Sequence, residues 1–172
     1  MISTFFPNCN LDSRVFIFQS INRITTKEIN LISNVLNNDF LPNWSSHRTP
    51  VNGEFVILYN HFIVVSTQLS AISGCAIDSL FNTIKDIGLK LNVNLLDRLH
   101  IPYFQLPKSE TGNSANLKIP INMSFLLHQD FIEKADCDLL VIENFFVFDN
   151  SITTLHDAWL IPFKDWKEKY IK

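Results

Sequence analysis

The chain has 172 residues, 47% of them hydrophobic and 18% charged, with a formal net charge of −3. That length and apolar share can bury a core without metal or disulfide staples, and a single domain over residues 1–172 is expected. The charge balance gives no overall attraction to phosphate and no window holds a Lys/Arg cluster, which disfavours nucleic acid as a partner.

Apolar runs such as Phe55–Tyr59 and Leu139–Ile142 are strand-sized. A bilayer-crossing helix needs about 20 apolar residues, so no membrane-spanning segment is expected. The opening MISTFFPNCNLDSR has no basic residue before its apolar patch and meets Pro7 at once, which argues against a signal peptide and for the cytoplasm. Cys9, Cys75 and Cys137 are odd in number and lack CxxC spacing; reduced thiols are expected in place of a disulfide framework or zinc knuckle.

Along the chain, RVFIFQS (14–20) is apolar on both alternating faces and predicts a strand buried on both sides. Thr25-Thr26-Lys27-Glu28 fits a capping box, and Ile29, Ile32, Leu36 and Phe40 extend it as a helix that stops before Pro42. EFVILYNHFIVVSTQ (54–68) predicts a hairpin turning at Asn60-His61. Ile77, Leu80, Phe81, Ile84, Ile87, Gly88 and Leu91 make the apolar stripe of a second helix, with Asp78, Ser79, Asn82, Lys85 and Asp86 opposite.

DRLHIPYFQ (97–105) predicts a short strand, KSETGNSANLK (108–118) an exposed loop, and residues 124–134 a third helix with Leu127, Phe131 and Ala135 inward. DLLVIENFFVFD (138–149) is the most strand-like stretch, either one bent strand or a hairpin folded at Glu143-Asn144. A cap at Ser151 or Thr153 precedes Leu155 and Trp159, and Pro162 opens a final helix with Phe163, Trp166 and Tyr170 on one stripe. The order predicts an α+β fold, a mixed or mostly antiparallel sheet with about four helices packed on it as a single-layer sandwich.

Several enzyme classes are disfavoured by what is missing. None of Gly53, Gly74, Gly88 and Gly112 precedes Lys-Ser or Lys-Thr, and GxGxxG, GxSxG, HExxH and CxxC are absent. His61, His100, His128 and His156 show no metal-ligand spacing, so neither a metal nor a cofactor is expected.

Cys75 is the main candidate. With Ser73 as N-cap it falls in the first helical turn, where unpaired amides and the helix dipole favour a thiolate. Asp78, Ser79 and Asn82 follow on the same side at helical spacing; Asp78 is placed to orient a histidine, although its charge opposes the thiolate. A small cysteine filling space in a capped turn is the competing reading. NWSSHR (43–48) comes second: Trp44 and His47 are bulky residues in a connection, either docked on the core and exposed respectively, or part of a site that His47 completes as base. Asp97-Arg98 is third, an internal charge pair or an Arg offered to an anion.

RVFIFQS, NWSSH, SGCAIDS and LLDR, followed by AWLIPFKDW, together resemble a family of small Bacteroidota proteins often labelled "ABC transporter ATPase". The resemblance spans most of the chain and rests on Trp44, His47, Ser73, Gly74, Cys75, Asp78, Asp97 and Arg98; Ala76 stands where the family has serine. It implies a lineage and not a mechanism. The ATPase label conflicts with the missing phosphate loop, and LSAISGC is similar to the LSGGQ signature only superficially.

Two readings follow. One is a cytosolic binding module whose Trp44/His47 connection and Cys75 helix mouth, with Ser73, Gly74, Ser79, Asp97 and Arg98, receive a small anionic ligand or a protein segment. The other is a thiol enzyme or redox protein with Cys75 as nucleophile, His47 as base, Asp78 as orienter and Arg98 holding an anion. A translation or RNA-associated factor is a third, less favoured by the acidic balance.

Overall fold

A computed structural model describes residues 2–105, 123–136 and 145–171. The class is α+β, and the chain packs as two compact units, Met1–Asp97 with Asn150–Ala158 and Arg98–Asp149 with Trp159–Lys172. Among the described residues the strands form three antiparallel sheets, where a single sheet was expected.

The first unit contains β1 (Val15–Gln19), α1 (Thr26–Asn34), β2 (Ser45–Ser46), β3 (Thr49–Pro50), β4 (Gly53–Leu58), β5 (Phe62–Thr67) and α2 (Gly74–Leu91). Its main sheet has the order β1-β5-β4. β5 is central and wholly buried, and β1 is buried at every position, as its double-sided apolar pattern requires. Phe16, Phe18, Ile63 and Val65 meet Ile32 and Leu36 from the first helical segment and Leu80, Ile84 and Ile87 from α2 in one core.

α1 starts as predicted. Thr25 Oγ1 accepts the Glu28 amide at 3.3 Å, and Glu28 Oε2 accepts the Thr25 amide at 2.7 Å. The Thr25 amide and hydroxyl hold the Glu28 carboxyl below the usual carboxylate range. Because the folded-state value is depressed, this stabilisation is present above the ordinary glutamate pKa and is lost as pH falls through the lowered value. A helix-fraying transition at acidic pH, followed by amide exchange at the start of α1, is therefore expected to disappear in Glu28→Gln. The predicted helix to Phe40 is α-helical only to Asn34; Val35–Phe40 is a π-helix, followed by a 3₁₀ turn at Leu41–Asn43.

The hairpin forms one residue earlier than expected. Tyr59 and Asn60, with φ of 54° and 59°, occupy the turn, and the His61 amide donates to Leu58 O at 3.1 Å. Positive φ at both central residues is the type I′ pattern that matches strand twist.

The second unit contains β6 (His100–Gln105), β7 (Ser124–Leu127), α3 (His128–Asp136), β8 (Phe145–Phe148), β9 (Leu160–Pro162) and α4 (Phe163–Tyr170), with the sheet order β7-β6-β8-β9. Ile101, Val147, Phe131, Phe163 and Trp166 form its core. Ser124–Leu127, expected in a helix, is a strand because Ile101↔Leu126 and Pro102↔Phe125 pairing outweighs local propensity. Leu127 is exposed as a result, while Phe131 is fully buried as predicted. Pro102 sits where β6 pairs only with β7, since pairing with β8 begins at Tyr103; a residue without an amide donor is tolerated there. Of 138–149, expected as one bent strand or a hairpin, residues 145–148 are strand; residues 137–144, like the 108–118 loop and Cys137, lie outside the described residues.

No helix follows the predicted cap at Ser151 or Thr153. Asp157 Oδ2 instead accepts the amides of Thr153 and Thr154 at 3.1 and 3.0 Å, closing a turn. The final helix begins after Pro162, and its last turn is tied down at Asp149, whose buried carboxylate accepts Lys169 Nζ and Tyr170 Oη, each at 2.8 Å.

Candidate functional site: the mouth of the second helix

α2 opens where the sequence places it. Ser73 is extended, with φ −67° and ψ 155°, and its Oγ accepts the Ala76 amide at 3.3 Å. Gly74 and Cys75 are thus the first residues of the helix, and their amides precede any intrahelical acceptor. A Cβ added at Gly74 would meet no atom within 4 Å, so the backbone is open at this point. Cys75 is exposed, as are Asp78 and Ser79. The thiol does not fill a core space; Ala76 and Leu80 turn inward instead. Removing the cap with Ser73→Ala is expected to cost about 1 kcal/mol, read as a lower unfolding midpoint and faster amide exchange in the first turn.

The Trp44–Arg48 connection lies against this mouth. The Ser73 amide donates to Ser46 Oγ at 2.9 Å, and Trp44 Nε1 donates to Ala76 O at 2.9 Å. Trp44 is 3% exposed, so its ring belongs to the core while its N–H reaches the helix. Phe40, at the end of the π-helix, packs on the ring with centroids 5.2 Å apart. Gly53 lies beneath it: a Cβ there would be 2.8 Å from Trp44 Cζ3 and 2.9 Å from Leu41 Cδ2.

The connection is a two-stranded hairpin, Ser45↔Pro50 and Ser46↔Thr49, with His47 and Arg48 as its turn. Their φ values are 52° and 68°. Both are in the left-handed region that asparagine or glycine normally fills, at a cost of order 1 kcal/mol each. Both side chains are exposed. Among the described residues neither His47 nor Asp78 hydrogen-bonds Cys75; Ser79 Oγ donates to Ala76 O at 2.8 Å and so belongs to the helix's own bonding.

Asp97 is placed differently. It is 7% exposed, its Oδ1 accepts Gln19 Nε2 at 3.3 Å, and its amide donates to Gln19 O at 3.3 Å. Asn150 Nδ2 completes the group by donating to Gln19 Oε1 at 2.6 Å. Asp97 therefore acts as an internal anchor of the first unit. Arg98 is exposed and opens the second unit.

Sequence reasoning named the 43–48 stretch without singling out Ser46 in it, and missed the Ala76 carbonyl. The hairpin carries no Asn-Gly or Asp-Gly signal, and Ala76 contributes a backbone carbonyl, to which no side-chain pattern points. Two cavities of the first unit lie away from this mouth. One of about 300 Å³ is at the C-terminal end of α2 between Ile84, Gly88, Asn92 and Leu95; another of about 240 Å³ lies between the π-helix and α2, beside Asp39, Phe40, Thr83 and Asp86. Among the described residues no group of His, Cys, Asp and Glu is placed to hold a metal ion, and no helix is long and apolar enough to cross a membrane. No protein-family model, curated protein or solved structure matches this chain.

Proposed function

We propose that this chain is a binding module, resident in a reducing compartment such as the cytoplasm, whose recognition surface is the mouth of α2 and whose ligand carries a small anionic group. The observation that carries the reading is the joining of two segments. The Ser46–Ser73 and Trp44–Ala76 hydrogen bonds hold the His47-Arg48 turn beside a helix start whose Gly74 and Cys75 amides have no intrahelical acceptor. Free amides at a helix N-terminus attract an anion by geometry and by dipole. The open space at Gly74 supports the reading, since a ligand can approach the backbone there.

The test is an amide-resolved titration with inorganic phosphate. Gly74 and Cys75 amides are expected to shift most, with Arg48→Ala weakening the response and Lys85→Ala, near the other end of α2, leaving it unchanged. Absence of saturable shifts at these two amides sinks the reading.

The exposure of Cys75 favours a second reading, thiol chemistry at the same mouth with His47 as base and Asp78 as orienter. The pH dependence of iodoacetamide labelling separates the two: half-maximal labelling near the ordinary cysteine pKa of about 8.5 leaves only the binding role.

A further inference from the structure

Among the described residues the main sheet of the first unit protects one edge and leaves the other unpaired. At the β1 edge the Val15 amide donates to Thr153 O at 3.0 Å, Arg14 bridges to Thr154, and Gln19 bridges to Leu96. Among the described residues nothing pairs with the outer edge of β4, which runs for six residues, Gly53–Leu58.

Pairing with β5 consumes the backbone groups of alternate residues. Asn52 O accepts the Gln68 amide and Leu58 O accepts the His61 amide, so the even positions face β5. The amides and carbonyls of Gly53, Phe55 and Ile57 consequently point away from the sheet. Natural sheets blunt such edges with lysine, proline, a bulge or a cover. Among the described residues β4 has none of these; GEFVIL carries one charge, Glu54, and that carboxylate already accepts Asn8 Nδ2 at 2.7 Å.

We propose that the β4 edge is a self-association surface, where a second copy of the chain adds its own β4 antiparallel about a two-fold axis at Phe55. This register sets Phe55 opposite Phe55, Gly53 opposite Ile57, and Glu54 opposite Val56. Each outward-facing residue exchanges both backbone bonds with its opposite number, so the pairing satisfies every free group on the edge. The single carboxylate meets an aliphatic side chain and not its own copy, which removes the like-charge penalty of direct opposition. The two three-stranded sheets become one six-stranded sheet, with a self-complementary contact of the kind two-fold dimers use. A net charge of −3 opposes this little.

Sedimentation of the full chain from low to high micromolar concentration tests the proposal. The mass is expected to rise from the 19.9 kDa of one chain towards twice that value. Val56→Glu sets a second carboxylate opposite Glu54 of the other copy and is expected to weaken association at least tenfold, while Val56→Thr keeps it. Hydrogen exchange on the unmodified chain gives a second reading that does not depend on a variant's folding: the Phe55 and Ile57 amides are expected to gain protection as concentration rises. A 19.9 kDa species at every concentration, or protection of those amides that ignores concentration, overturns the proposal. So does a monomer that accepts only a foreign strand at this edge.

Discussion

Trp44→Ala is expected to lower the stability of the first unit by about 3–5 kcal/mol, the range for emptying a large aromatic site in a packed core. Three neighbours fix the ring: Phe40 on one side, Gly53 against its six-membered edge, and the Ala76 carbonyl at its N–H. None of them collapses readily into the space, because Gly53 has no side chain and Ala76 is held in α2. Against the roughly 5–15 kcal/mol total of an ordinary domain, the loss is large enough to appear in denaturant unfolding as a much lower midpoint.

Trp44→Phe isolates the hydrogen bond from the ring. Ala76 O keeps Ser79 Oγ as a donor at 2.8 Å, so the carbonyl is not left unsatisfied. The expected cost is correspondingly small, about 0.5–1.5 kcal/mol. Its signature is positional: amide exchange in the first turn of α2 quickens while the rest of the unit keeps its protection. A Trp44→Phe chain as destabilised as Trp44→Ala would show that the N–H, and not the ring, carries the stability.

Gly88→Ala is the second large effect and runs against helix propensity. Alanine in an exposed helix interior gains about 1 kcal/mol over glycine. At Gly88 the added Cβ would lie 2.7 Å from Val93 O, a backbone atom fixed by the left-handed Asn92 cap, where φ is 54°. The Val93 amide also donates back to Gly88 O at 2.9 Å, so the chain cannot swing away without breaking the helix end. The net result is a destabilisation of about 1–3 kcal/mol, or a fall in midpoint of some 2–4 °C for each kcal/mol in a chain of this size.

Gly74→Ala supplies the control. No atom lies within 4 Å of its added Cβ, so thermal unfolding is expected to be unchanged or slightly later. If a close ligand approach requires Gly74, the same substitution weakens phosphate binding at the Gly74 and Cys75 amides while stability holds. The two glycines look alike on the page, and only the distances to their neighbours separate them.

Local signals were legible wherever the answer lies within a few residues of the question. The capping box at Thr25 and Glu28, the Ser73 cap and the apolar stripe of α2 depend on neighbours three or four positions away, and each is found where it was predicted. The placement of Cys75 in the first turn follows from the same short-range geometry, whereas its exposure, against the reading of a cysteine that fills space, is decided by the fold. The prediction failed at Ser124–Leu127 because the partner strand that makes those residues extended is more than twenty positions earlier in the chain. The sequence leaves Asp97 between an internal pairing and ligand binding, since it does not reveal that Gln19, 78 positions away, donates to its carboxylate.

By itself the sequence determined the α+β class, the start of both long helical segments of the first unit and the placement of a thiol in the first turn of one of them, because hydrophobic period and cap chemistry are short-range properties. Only the tertiary structure decided that Cys75 is exposed, that Ser46 and Trp44 meet the mouth of α2, that Gly88 is crowded while Gly74 is open, and that among the described residues β4 keeps an unpaired edge. Those outcomes depend on which distant backbone groups find each other, and pairing over tens of residues leaves no periodic mark in the text.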